Sequence, residues 1–387
     1  MNPIVSMKPI SVNYIAPIFA IACIGFFVAN CQAQDRRFAS SSRLSLGTQM
    51  NLSASVRAGD IDADGDVDLV VANGRHWPQQ NLLFLNQGAA RFNVLRPLGT
   101  DSRTSYACEL ADLDGDGDLD IAVGNDNAGC LVFLNDGHGK YKQHTSFGKP
   151  SSVRSLTTAD INGDGHIDLL TTCRGRPNLI YFNDGKANFD KSETFGTQRD
   201  STIDVAVADL NHDGQQDLIL ANRDAQPNAI LLNNGSGGFV RSSFGDTKSS
   251  SRAVAVAHFD DDKHLDWVVG NIGQANIIFF GDGNGGVKRT LSVGRTNGAT
   301  YCVAVADFNK DGLTDIVAGN RGELNTVLLN HDNGAKFSQV AFGLPQGTTY
   351  GLCTGDVNAD GFEDIVVANS DQMNRIYLNL PPIKAAQ

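Results

Sequence analysis

Acidic residues recur at one spacing in seven places along this chain, in the form D-x-[DN]-x-D-G-x-x-D. The first match is Asp60-Ile-Asp62-Ala-Asp64-Gly65-Asp66-Val-Asp68. It is followed by Asp112, Asp114, Asp116, Asp118 and Asp120, and then by Asp160, Asn162, Asp164, His166 and Asp168. Next come Asp209, Asn211, Asp213, Gln215 and Asp217; later Asp307, Asn309, Asp311, Leu313 and Asp315; and last Asp356, Asn358, Asp360, Phe362 and Asp364. In a tight loop, positions one, three and five turn oxygens toward one point. Glycine at six permits the turn, position seven offers its carbonyl whatever its side chain, and position nine closes the shell. Hard oxygen donors in that number select calcium. The competing reading is a simple Asp- and Gly-rich turn, since these residues favour turns unaided. Electrostatics argues against it. Two carboxylates about 4 Å apart repel by about 1 kcal/mol in water and about 4 at an effective dielectric of 20, so three or four converging require a cation. The remaining loop, fifth in chain order, runs from His258 to Asp266, with His258 in place of the first Asp and Lys263 in place of Gly. Its Asp260, Asp262 and Asp266 are expected to form a weak or empty site. About six calcium ions per chain are expected.

The elements that hold these loops repeat with them. Loop starts at 60, 112, 160, 209, 258, 307 and 356 are 52, 48, 49, 49, 49 and 49 residues apart. Each unit reads as a small-residue strand such as Val205-Ala206-Val207-Ala208, the loop, an apolar strand such as Leu218-Ile219-Leu220, and two further strands. The fourth ends in Phe244-Gly245 or an equivalent. A period near 50 with four strands per unit predicts an all-β, seven-bladed β-propeller of four-stranded blades. Small residues suit innermost strands that converge on an axis. The last unit lacks a fourth strand, whereas Phe38 to Gly47 precede the first loop and match one. The N-terminal strand is therefore expected to complete the last blade, which leaves no unpaired edge.

An EF-hand is the rival calcium reading, but its bidentate Glu is missing at position twelve, where Val71, Val123, Thr171, Leu220, Ala318 and Val367 stand. Phe147-Gly148, Phe195-Gly196, Phe244-Gly245 and Phe342-Gly343, with the variants Leu46-Gly47, Leu98-Gly99 and Val293-Gly294, make the likeness more specific. The chain resembles the FG-GAP repeat family, including VCBS-type bacterial proteins and the propeller of integrin α subunits. The resemblance covers nearly everything after residue 33. It implies calcium in the loop between the first two strands of a blade and partner binding on the opposite face.

The chain carries a formal net charge of -12, which argues against a nucleic-acid partner. Twelve positive charges from six calcium ions would offset it. The loops after second and fourth strands, which lie opposite, are rich in Arg and Lys, including Arg75, Arg103, Arg174, Arg223, Lys248, Arg295 and Arg321. Arg75, Trp77, Arg174, Arg223 and Arg321 are the candidate residues for a protein or glycan ligand, by ion pairs or by stacking. Arginine in polar loops is also simply a solvated surface, and Trp77 can equally cover its own loop. No catalytic constellation is recognisable, and no Gly-x-Ser-x-Gly elbow or phosphate loop occurs. The expected role is a calcium-binding interaction module of adhesion type. A lectin and a carbohydrate-active enzyme such as a polysaccharide lyase are the alternatives.

An apolar run from Ile15 to Ala29 is short for a membrane span and reads as a secretory signal over residues 1–33, cut after Ala33. A single anchoring helix is one alternative, and a lipoprotein anchored at Cys31 is the lesser one. Residues 34–387 are expected to be one monomeric propeller, secreted or periplasmic. Cys108, Cys130, Cys173, Cys302 and Cys353 are an odd number at strand positions, so buried thiols are expected rather than disulfides.

Overall fold

The computed structural model describes residues 36–246 and 249–382. The signal over residues 1–33, the anchor at Cys31 and Lys248 lie outside the described residues. Strands group into seven antiparallel sheets arranged as a ring of blades. In blade one the strands are Ser53–Gly59, Asp68–Asn73, Leu82–Leu85 and Val94–Pro97, from the axis outward. Blades two to six begin with Ser105–Ala111, Val153–Ala159, Thr202–Ala208, Ser251–Ala257 and Thr300–Ala306. Blade seven contributes Thr349–Gly355, Asp364–Asn369 and Asn374–Leu380.

The ring closes as the repeat count requires. Arg37–Ala39 pairs antiparallel with Asn374–Leu380, with Phe38 opposite Asn379, and Ser45–Leu46 pairs further along with Leu46 opposite Asn374. A short 3-10 turn, Ser42–Leu44, separates the two pieces. The outer edge of blade seven is thus covered by the N-terminal end of the propeller.

Every second strand is buried along its whole length, because blades pack on both of its faces. The apolar residues form seven clusters, one at each interface between neighbouring blades. Val70, Ala72 and Leu85 of blade one meet Cys108, Ile121 and Phe133 of blade two, and Leu46 and Val366 meet Val56 and Leu69 where blade seven meets blade one. The Phe-Gly pairs serve these interfaces. Phe147, Phe195, Phe244 and Phe342 are buried, as are their replacements Leu46, Leu98 and Val293. The following glycine has a left-handed backbone, with φ of 70° at Gly148. A Cβ at Gly148 would also sit 2.5 Å from the Tyr181 hydroxyl, so only glycine fits. Cys108, Cys130, Cys173 and Cys353 are buried, Cys302 is partly buried, and all five are unpaired.

One expectation about the inner strands is corrected. Small side chains do fill most of their length, but the second residue of each is Ala54, Tyr106, Arg154, Ile203, Arg252, Tyr301 or Tyr350. In all seven blades this residue is skipped by a register shift between the first two strands. A bulge re-aims its side chain, and here the bulged residues line an open axial channel. Seven blades leave enough room on the axis for Arg and Tyr.

Candidate functional site

The carboxylate loops connect the first and second strands of each blade, all on one face. Position six has positive φ in every loop, from 68° at Lys263 to 96° at Gly117. Six loops place glycine there, and the fifth holds a lysine in a conformation that L-residues resist. The backbone then wraps around the acids. The amide of position seven donates to the carboxylate of position five in every loop, as in Asp66 to Asp64 at 2.9 Å and Phe362 to Asp360 at 2.9 Å. The amide of position six donates to position one, as in Gly165 to Asp160 at 2.8 Å and Gly312 to Asp307 at 2.8 Å. The turn is therefore built partly by the acids themselves, as the competing reading requires.

Position nine opens the second strand and is buried in all seven loops, at Asp68, Asp120, Asp168, Asp217, Asp266, Asp315 and Asp364. One oxygen of Asp168 accepts the Ile161 amide at 3.2 Å and the other accepts the Asn183 amide at 2.8 Å. Position nine is thus a latch between loop and third strand, in addition to any ligand role. Burial, opposed by those amide bonds, pushes Asp68, Asp120 and Asp168 up to about 6 and Asp315 and Asp364 up to about 7.

Oxygens of three acids come within 4.8 Å of one another in the first loop (Asp60, Asp62, Asp68), the second (Asp112, Asp114, Asp120) and the fifth (Asp260, Asp262, Asp266). The third, fourth, sixth and seventh loops carry Asn at position three, and its amide donates to the Asp at position five, from 2.8 Å at Asn162 to 3.1 Å at Asn358. There the amide relieves part of the repulsion. In the first loop no amide does so, and the Arg96 charge opposes the rise only in part. Burial and then repulsion from Asp64 and Asp60 push the Asp62 carboxyl up, and its Oδ1 is buried without a hydrogen-bond partner. The fifth loop differs again. Lys288 reaches Asp262 at 3.1 Å and Arg289 reaches Asp260 at 2.8 Å, so the protein's own cations sit on its acids.

Sequence reasoning missed a residue that ties the loops together. The residue after the third-strand apolar run is Asn86, Asn135, Asn183, Asn233, Asn330 or Asn379, and each side-chain amide donates to the position-two carbonyl of the preceding blade's loop. Asn330, for example, donates to Phe259 O at 2.9 Å and to Thr314 O at 3.1 Å, and accepts from the Gly334 amide at 2.8 Å. Its recurrence after each apolar run was the available signal. Replacing Asn330 by Ala leaves these buried groups unpaired and is expected to cost about 3 kcal/mol in urea unfolding. A cost below about 0.5 kcal/mol would show the clasp to be idle.

On the opposite face the candidate ligand residues divide. Arg75, Arg174 and Arg223 line a cavity of about 210 Å³ at the channel mouth, together with Arg154 and Arg252 from the bulged ring. Arg321 stands beside it, its guanidinium 3.4 Å from the Tyr301 hydroxyl. Trp77 is not brought to this cavity and is 71% exposed. Arg174 is paired with Asp224 at 2.6 Å, Arg103 with Asp101 at 3.2 Å and Arg295 with Glu323 at 2.8 Å, the solvated-surface behaviour weighed above. Arg154 and Arg252 lie inside the inner strands rather than in the loops where ligand residues were sought.

Among the described residues no helix is long and apolar enough to cross a membrane. Over residues 60–123, 112–171, 163–220, 209–269, 258–318 and 307–367 the chain matches the family described as FG-GAP-like repeat. No curated protein matches it. Among solved structures it is similar to BBS1N in complex with ARL6DN, soaked with lead, with a TM-score of 0.59 and 14% identity over 90% of this chain and 98% of that one. The WD40 domain of Toxoplasma gondii coronin is similar with a TM-score of 0.58 and 11% identity, over 90% of this chain and 86% of that one. Both likenesses are of fold.

Proposed function

Since the chain belongs to the FG-GAP-like repeat family, we propose that it is an exported interaction module, stiffened by calcium in its carboxylate loops and engaging a protein or glycan ligand on the opposite face. The observation that carries the calcium reading is the first loop. Three acids there converge within 4.8 Å, and Asp62 Oδ1 is buried with no hydrogen bond. Like charges so placed favour a divalent cation, and an all-oxygen donor set favours calcium over softer metals.

The same convergence extends this to the loop at Asp112, and the shared oxygen-donor pattern extends it to the loops at Asp160, Asp209, Asp307 and Asp356, whereas the fifth is satisfied internally by Lys288 and Arg289. Export rests on the segment at 1–33. Sequencing the N-terminus of the mature protein tests it, with Gln34 the expected first residue.

Metal counting after dialysis in millimolar calcium tests the loop assignment. The wild type is expected to hold about six ions per chain. Asp62→Asn with Asp64→Asn is expected to remove one, and Asp260→Asn with Asp262→Asn none. An unchanged count in the first double variant would defeat the assignment.

A further inference from the structure

The channel mouth on the face away from the carboxylate loops carries more positive charge than its surroundings balance. Arg75, Arg154, Arg174, Arg223 and Arg252 line its cavity, and no carboxylate does so among the described residues. Two of the five have partners just outside. Arg154 lies 3.1 Å from Asp126 and Arg174 lies 2.6 Å from Asp224. One acid, Asp204, lines the adjoining part of the channel, where its two oxygens accept the amides of Val205 and Val254 at 3.0 Å each. From blade four round to blade one, no carboxylate among the described residues pairs with Arg223, Arg252, Arg321 or Arg75.

Arg252 is the centre of that arc. Its Nε is buried with no hydrogen-bond partner, and its guanidinium lies 4.1 Å from the Tyr301 ring centroid and 5.4 Å from that of Tyr350. Those rings are flanked in turn by Arg321 at 5.9 Å and Arg75 at 3.9 Å. Burial pulls the Arg252 pKa down to about 10, with Arg223 adding to the fall and the tyrosines opposing it, so the group stays charged at neutral pH. A buried charge is ordinarily paired, and a buried donor without an acceptor costs about 1–3 kcal/mol or more when it is charged. Ring faces supply part of the compensation but no oxygen. The fork of donors on each guanidinium matches a planar or tetrahedral oxyanion.

We propose that the mouth of the axial channel is an anion-binding site, in which the carboxylate, sulfate or phosphate head of a ligand is held by Arg252 with Arg223, Arg321 and Arg75 around it. The inference rests on the interaction-module reading and gives the ligand of that module its charge. Two concentric features of the fold build the site. The strand bulge delivers Arg252, Tyr301 and Tyr350, and the turn after the second strand delivers Arg223 and Arg321. The remainder of the ligand lies over a basic rim on a chain whose formal charge is -12. Neutral or cationic ligands gain nothing from this arrangement.

Calorimetric titration of the calcium-loaded protein with inorganic sulfate, inorganic phosphate and galacturonate tests the proposal, with galactose as the uncharged control. At least one anion is expected to bind, and galactose is not. Arg252→Met is expected to weaken binding about tenfold or more, while its melting temperature without anion stays level or rises, because an unpaired buried charge is gone. Lys142→Ala, on an exposed outer strand, is expected to bind as wild type does. No heat with any anion, or equal affinity in Arg252→Met and wild type, overturns the site. Metal counts on the same samples separate the two readings. A full calcium complement without anion binding defeats only the anion site, whereas anion binding by a protein that takes up no calcium defeats only the calcium assignment.

Discussion

Stripping calcium with a chelator is expected to lower the unfolding free energy of this protein by about 8 kcal/mol. A site filled at ten times its Kd stabilises the native state by about 1.4 kcal/mol, and six such sites act together. That sum is comparable with the whole stability of an ordinary domain, about 5–15 kcal/mol, so the chelated protein should unfold near ambient temperature or aggregate. The first two loops show why most plainly. Three acids converge within 4.8 Å in each, at Asp60, Asp62 and Asp68 and at Asp112, Asp114 and Asp120, and without a cation they repel. Added salt should recover only part of the loss, because screening is weak for partly buried charges. The measurement is thermal unfolding with calcium and with chelator, alongside metal counting. An unchanged melting temperature with no bound metal would leave the loops as Asp-rich turns held by their own amide hydrogen bonds.

The second large effect lies at the closure of the ring. Phe38→Ala is expected to destabilise the calcium-loaded protein by about 3–5 kcal/mol, the usual cost of deleting a buried Phe side chain. Phe38 belongs to the strand that completes blade seven, and its ring meets Phe308 at 5.4 Å and Phe342 at 5.7 Å, at the junction of blades six and seven. The neighbouring Arg36 fixes the strand by donating to Asn379 Oδ1 at 2.7 Å and to Asn379 O at 2.9 Å. A weakened closing strand uncovers the edge of Asn374–Leu380, so the variant should also self-associate on warming. Urea unfolding and light scattering check both parts. A loss below about 1 kcal/mol would mean that the closing strand carries little of the ring's stability.

The repeat was legible in the chain itself, and with it the blade number, the four strands and the contribution of the N-terminal strand to blade seven. A period near 50 and a missing last strand leave one topology that covers every edge. The ligand-type residues of the loops were equally legible, because a turn of nine residues is a local structure whose oxygens and glycine are set by spacing. The Phe-Gly pairs marked strand ends for the same reason.

What the tertiary structure decided are contacts made across the ring. Asn330 and its equivalents join neighbouring blades through partners such as Phe259, about seventy positions away in the chain, and no local pattern names such a partner. Lys288 and Arg289 come from the outermost strand to the fifth loop, so the reason for that loop's self-sufficiency could not be seen at His258 and Lys263 alone. The basic residues of the opposite face were countable in sequence, but which were paired, as Arg174 is with Asp224, depended on distances between blades. Arg252 was hidden most completely. It follows Ser251 in an apolar strand, and only the bulge turns its side chain toward the axis, where residues from separate blades meet. Local spacing sets local oxygens, whereas the charge at the axis is assembled from separate blades and exists only when the ring is closed.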